Sequence, residues 1–164
     1  MEKKIIINRS AVMDKVSAES VYLAGRAQGT DEQTFDRLYV TDEDKQLLDS
    51  YYNDAVSALV SAINEYVSDL SDINASSALR DDTTLTLNLP AHAGVGISTL
   101  ASDITNYIVS AVLADYLARL ADERSSLYSD SATALLQSVN DKLNSRSRLT
   151  HAEICTKRGE VCND

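Results

Sequence analysis

The residue types that most often act as general bases or bind metals are scarce in this sequence, which contains two histidines and two cysteines. His151, Cys155 and Cys162 form an H-x3-C-x6-C pattern near the C-terminus. Zinc sites usually take four ligands that include closely spaced cysteine pairs, so this pattern is a weak metal signal. A zinc site and a local disulfide stay open as alternatives, and we interpret the two cysteines as free thiols.

The loop around His92 offers no second catalytic group. It reads A-H-A-G-V-G and contains no nucleophile motif. Gly94 and Gly96 lack the third glycine of a dinucleotide fingerprint and the lysine of a P-loop. The acidic runs 42–44 and 81–82 could attract a cation but lack EF-hand spacing. We therefore predict that the chain is not an enzyme and holds no cofactor and no metal ion.

A short β-strand is predicted at residues 84–89, where three leucines alternate with Thr86 and Asn88. An isolated strand leaves its backbone N–H and C=O groups unpaired, and the other convincing strand lies at residues 3–7. The two could pair within one chain, or at least one could pair with a neighbouring subunit. We expect strand addition between subunits. The predicted interface residues are Ile5, Ile6, Ile7, Leu85, Leu87, Leu89 and Pro90.

Most of the remaining sequence has the apolar spacing of amphipathic helices. We predict a first helix capped by Ser10, a long one from the acidic start at Thr41 to about Ser71, and a third capped by Ser98. A last helix follows from Ala132. Whether residues 122–131 bend one helix or separate two is left open.

These elements predict a mainly α fold. It has three to four amphipathic helices in a bundle, one or two short β-strands (3–7, 84–89) and an extended C-terminal tail. We expect a single helical domain with a β arm at residues 1–148, followed by the tail at 149–164.

Tyrosines recur along the predicted helices. They could stack on nucleobases, but no Arg or Lys residues are interleaved with them, so we interpret them as contacts between helices. The residues concerned are Tyr51, Tyr52, Tyr66, Tyr107 and Tyr116.

Composition limits the class of partner. The chain of 164 residues is 44% hydrophobic and carries a formal net charge of −10, which disfavours disorder, tight binding to nucleic acid and docking on an anionic membrane. Acids dominate residues 31–54, and basic residues dominate after Asp141. These regions are either two solvated faces or the contact between the acidic segment of one subunit and the basic tail of another. No run predicts a signal peptide or a membrane span.

The order of these elements resembles the small helical neck proteins of tailed phages and prophages, which form the head–tail connector (adaptor) and tail-completion group. The resemblance covers most of residues 9–148 and is a pattern of elements. The segments that carry it are NRSAVMDKVSAESVYLAGRA, FDRLYVTDEDKQLLDSYYNDAVSAL, LTLNLP and ITNYIVSAVLADYLARLADERSSLYSDSATALLQSVNDKLNSRSR.

The resemblance implies a structural, non-enzymatic virion protein. Such a protein forms a homo-oligomeric ring beside portal or tail proteins, and DNA passes through the ring's channel without specific binding. It would be made in the host bacterial cytoplasm and would act in the virion, with no membrane partner. The alternative is a soluble cytoplasmic helical adaptor or regulatory domain that binds another protein.

Overall fold

The chain folds as helices packed on one face of a small sheet. A computed structural model describes residues 2–27, 38, 40–71, 82–89 and 96–145. The elements with described bounds are β1 (Glu2–Ile7), α1 (Arg9–Ala27), α2 (Lys45–Ala62), β2 (Val67–Ser71), β3 (Thr83–Asn88), α3 (Ile97–Arg119) and α4 (Ser125–Asn144). The mainly helical fold class predicted from the sequence is confirmed. The predicted tail at 149–164 lies outside the described residues.

The three strands form one antiparallel sheet in the order β1-β3-β2. Ile5 is paired with Leu85 in the β1–β3 register, and Leu70 is paired with Leu85 in the β2–β3 register. The pairing of β1 with β3 is therefore made within one chain, which was one of the two alternatives left by the sequence. The central strand β3 has a neighbour on both edges.

The strand β2 corrects the prediction of a helix that continues to about Ser71. The helix α2 ends at Ala62, and a turn follows in which Tyr66 N–H donates to the Ile63 carbonyl at 2.9 Å. The Tyr66 carbonyl then accepts from Asn88 N–H at 2.7 Å. Tyr66 and Leu70 continue the helical spacing of the apolar residues before them, so periodicity alone could not show that their backbone groups pair with β3.

The helix α3 lies at the centre of the molecule and packs against α1, α2, α4 and β1. Ten of its residues are buried: Leu100, Ile104, Tyr107, Ile108, Ser110, Val112, Leu113, Ala114, Tyr116 and Leu117. Within the described residues it is also the one helix long and apolar enough to cross a membrane by length and composition. Burial on several sides accounts for this apolar character.

The last two helices form a hairpin, which answers the question left open by residues 122–131. The helix α3 ends at Arg119 and α4 begins at Ser125. Between them Ala121 has a φ of 54°, and Asp122 N–H donates to the Leu117 carbonyl at 3.0 Å. The left-handed residue reverses the chain at this point and lets α4 pack along α3.

The predicted caps differ from the observed helix starts. Asn8, rather than Ser10, caps α1, and its Oδ1 accepts from Ala11 N–H at 2.7 Å. The residue before α3 is Gly96, which gives no side-chain cap, so the predicted Ser98 cap is wrong. Before α2, the Asp44 carboxylate accepts from the Thr41 N–H at 3.0 Å.

Candidate functional site

Most of the predicted interface side chains lie in the core of the chain itself. Ile5, Ile7, Leu85, Leu87 and Leu89 are at most 4% exposed, because both strands turn these residues toward the helices. Their side chains are therefore not available to a second subunit. This burial corrects the prediction that they are subunit contacts.

Ile6 is different, because its side chain lies on the opposite face of the sheet and is 66% exposed. Pro90 and the loop histidine His92 lie outside the described residues, as do His151, Cys155 and Cys162.

A partly buried ion pair joins the start of α1 to the second turn of α2. The Arg9 side chain is 6% exposed and its Nη2 donates to the Asp49 carboxylate. The same guanidinium lies over the ring of Tyr52, with its Cζ 4.9 Å from the ring centroid. Because the charge of Arg9 has a carboxylate and an aromatic face beside it, the cost of its burial is reduced.

Two further contacts tie this ion pair to the sheet. The Tyr52 and Thr83 hydroxyl oxygens are 3.3 Å apart, and Asp82 accepts from the Arg9 backbone N–H at 3.2 Å. Burial raises the pKa of Tyr52, although the hydrogen bond with Thr83 opposes the rise. We call Arg9, Asp49, Tyr52, Thr83 and Asp82 the Arg9 network. It holds α1, α2 and the start of β3 together, and the sequence analysis did not find it.

A groove of about 460 Å³ opens beside the Arg9 network, between the first turns of α1 and α2. Its apolar lining is Met13, Val40 and Leu48. Its polar lining carries charges of both signs: Arg9, Ser10, Asp14, Ser17, Thr41, Lys45, Gln46 and Asp49. This mixture does not single out one class of ligand.

Acidic side chains approach one another across α2 and α3. The pKa of Asp115 is raised, first by partial burial and then by the nearby charge of Asp54. Burial also raises the pKa of Tyr116 to about 12, and the charge of Asp44 adds to this rise. The charge of Arg119 opposes this rise, so one base lies near these acids of α2 and α3. We call Asp44, Asp54 and Asp115 the acidic face.

Three of the five tyrosines singled out from the sequence are core residues. Tyr52, Tyr107 and Tyr116 are at most 5% exposed, and burial raises the pKa of each phenol. For these three the interpretation as contacts between helices is confirmed. Tyr66 is half-buried and its hydroxyl donates to Asn144 Oδ1 at 2.7 Å, so it fixes the end of α4 to the start of β2.

The candidate metal ligands of the described ranges do not form a cluster. Across residues 2–27, 38, 40–71, 82–89 and 96–145, no three His, Cys, Asp or Glu residues form a group that could hold a metal ion. In the same ranges, every buried side-chain nitrogen or oxygen has a hydrogen-bond partner.

Compared with known proteins, the chain matches no family model, no curated protein and no solved structure.

Proposed function

We propose that this chain is a structural, non-enzymatic subunit of the neck of a tailed phage, at the head–tail connector, adaptor or tail-completion position. In this role copies of the chain assemble as a ring around the DNA channel, beside portal or tail proteins. The chain is made in the bacterial cytoplasm and acts in the virion.

The acidic face is the observation that carries the proposal. Asp54 and Asp115 lie close enough for the charge of one to raise the pKa of the other, and the whole chain has a net charge of −10. Like-charge repulsion keeps DNA from adhering to such a surface, which suits a channel through which DNA must slide.

The order and packing of the elements also support the proposal. An acidic helix start, a long helix, a strand and a helical hairpin follow one another as in the resemblance to neck proteins described above. Each polar group of the Arg9 network is engaged in holding elements together, so this network supports a structural role better than proton transfer.

Deletion of the gene from the phage or prophage that carries it tests the role directly. We expect DNA-filled heads without attached tails, seen by negative-stain electron microscopy, because a neck protein joins the two. Complementation with the unaltered chain should restore complete virions, and an antibody against the chain should label the junction of head and tail.

A Leu87→Asp chain serves as the control for complementation, since it places an acid in the core and should not restore virions. Complete, infectious virions from the deletion strain would contradict the proposal. The result would then favour the alternative, a cytoplasmic adaptor that binds another protein.

A further inference from the structure

Among the described residues no strand pairs with the outer edge of β1, and the proposed function does not use this edge. Asn88 N–H donates to the Tyr66 carbonyl on the β2 side, and the Thr86 carbonyl accepts from Ser68 Oγ on the same side at 3.3 Å. Backbone groups alternate in direction along a strand, so those of Leu85 and Leu87 point toward β1.

The register then shows which groups of β1 are left at its outer edge. Lys3 pairs with Leu87, and Ile5 pairs with Leu85, so these two residues of β1 exchange hydrogen bonds with β3. The backbone N–H and C=O groups of Glu2, Lys4 and Ile6 therefore point away from the sheet, and the side chains of all three are exposed.

The two edges of the sheet differ in their ability to accept another strand. The pairing of β2 with β3 is shifted between Val67 and Asp69, which marks a bulge or irregularity, and such irregularities protect an edge from further pairing. The pairing of β1 with β3 runs through six consecutive residue pairs without a shift. The edge of β1 is the one suited to strand addition.

We propose that the β1 edge pairs antiparallel with β1 of a second copy of this chain, with Glu2 of each copy opposite Lys4 of the other. A two-fold axis through the Lys3 pair gives this register, and it places opposite charges across the interface twice. It also aligns the outward N–H and C=O groups of Glu2 and Lys4, so each of these pairs exchanges two hydrogen bonds.

This contact goes beyond the proposed function. A two-fold contact closes on itself, so it produces a dimer and does not build a ring. The positive charges of Lys3 and Lys4 also discourage unselective addition of other strands, since only a strand with an acid opposite Lys4 compensates them.

Charge exchange tests the register. Light scattering coupled to size-exclusion chromatography, over a concentration series, should show a monomer–dimer equilibrium for the unaltered chain. Glu2→Lys alone and Lys4→Glu alone should each weaken dimerisation by about tenfold, because two symmetric ion pairs become repulsive contacts. The double variant Glu2→Lys/Lys4→Glu should restore it.

A third variant separates this register from others. Lys3 faces its own copy at the two-fold axis, and like charges directly opposite destabilise a strand pair. Lys3→Thr should therefore strengthen dimerisation, while circular dichroism checks that the fold is unchanged.

A monomer at every concentration would overturn the proposal. So would a double variant that dimerises no better than the two single variants, or a Lys3→Thr variant that weakens the dimer. None of these outcomes bears on the gene deletion described above, so the two proposals fail separately.

Discussion

The two ends of the helical body are held together in different ways. At the sheet end, contacts join residues far apart in sequence: Ile7 pairs with Thr83, and Arg9 bonds Asp49. At the hairpin end the two helices are neighbours in sequence and Arg124 bonds Asp122 two residues away, although Arg124 and Tyr128 also donate to the Leu23 carbonyl and to Glu19 on α1. The sheet end therefore depends on a few interactions between residues far apart in sequence. Substitutions there should lower the free energy of unfolding more than substitutions at the hairpin end.

The largest effect is expected from Leu87→Asp, because Leu87 is fully buried where β3 meets the helices. Loss of packing together with burial of an acid should lower the free energy of unfolding by about 4 kcal/mol or more. Urea denaturation followed by circular dichroism measures this loss. Leu127→Asp is the matched control, since Leu127 is 66% exposed. A similar loss of stability in both variants would contradict the expected difference between the sheet end and the hairpin end.

A smaller loss is expected from Asp49→Asn, which leaves the buried Arg9 guanidinium beside a neutral amide. Removing one partner of a buried pair typically costs about 3–5 kcal/mol, and the partial exposure of Asp49 should reduce the loss to about 2 kcal/mol. Asp54→Asn, on the exposed side of the same helix, should stay within about 0.5 kcal/mol of the unaltered chain. Equal denaturation midpoints for the two variants would show that the Arg9 network does not clamp the sheet end.

The hairpin should respond to pH through Asp122. Its hydrogen bonds from Arg124 hold the pKa of the Asp122 carboxyl below its usual range. The ionised carboxylate therefore stabilises the fold above the unfolded-state pKa of about 3.9, and this stabilisation is lost as the pH falls through the lower folded-state value.

The comparison with Asp122→Asn isolates this contribution. The variant should lose about 1 kcal/mol at neutral pH and should show a smaller fall in stability on acidification. Thermal melts at a series of pH values measure the difference, and Asp130→Asn on the exposed surface of α4 is the control. If acidification lowers the stability of Asp122→Asn as much as that of the unaltered chain, the Asp122 carboxylate does not stabilise the hairpin.

The smallest effect is expected from Ala121→Gly. Ala121 has a φ of 54°, a conformation that strains L-residues, so glycine there should raise the free energy of unfolding by roughly 0.5 kcal/mol. Ala118→Gly, in the last turn of α3, should lower it by about 0.5–1 kcal/mol. Melting temperatures that move in the same direction for both variants would argue against strain at Ala121.

The same division between local and long-range contacts explains what could be predicted from the sequence. Apolar spacing located α3 and α4, and the alternating leucines located β3, because these patterns reflect burial of one face. The strand β2 was missed because Tyr66 and Leu70 keep a helical spacing, while the backbone partner that makes this segment extended lies on β3. Pairing of β1 with β3 could be named only as one of two alternatives.

The candidate site shows this limit more strongly. The Arg9 network joins residues from three elements, and no spacing in the sequence relates Arg9 to Asp49 or Thr83. A basic residue two positions after a β-branched strand was the available signal, but charged residues at such positions are usually solvated. The predicted interface leucines were correctly recognised as one apolar face, and in the structure that face packs against the helices.

The position of β3 also affects how the chain can fold as it is synthesised. The strand β1 is made first, yet its partners Thr83–Asn88 leave the ribosome only after α1, α2 and β2. Closing so long a loop is slow compared with docking two neighbouring helices such as α3 and α4. During that interval both edges of β1 and its isoleucines are exposed, so the nascent chain passes through a stage that is most open to unwanted strand pairing.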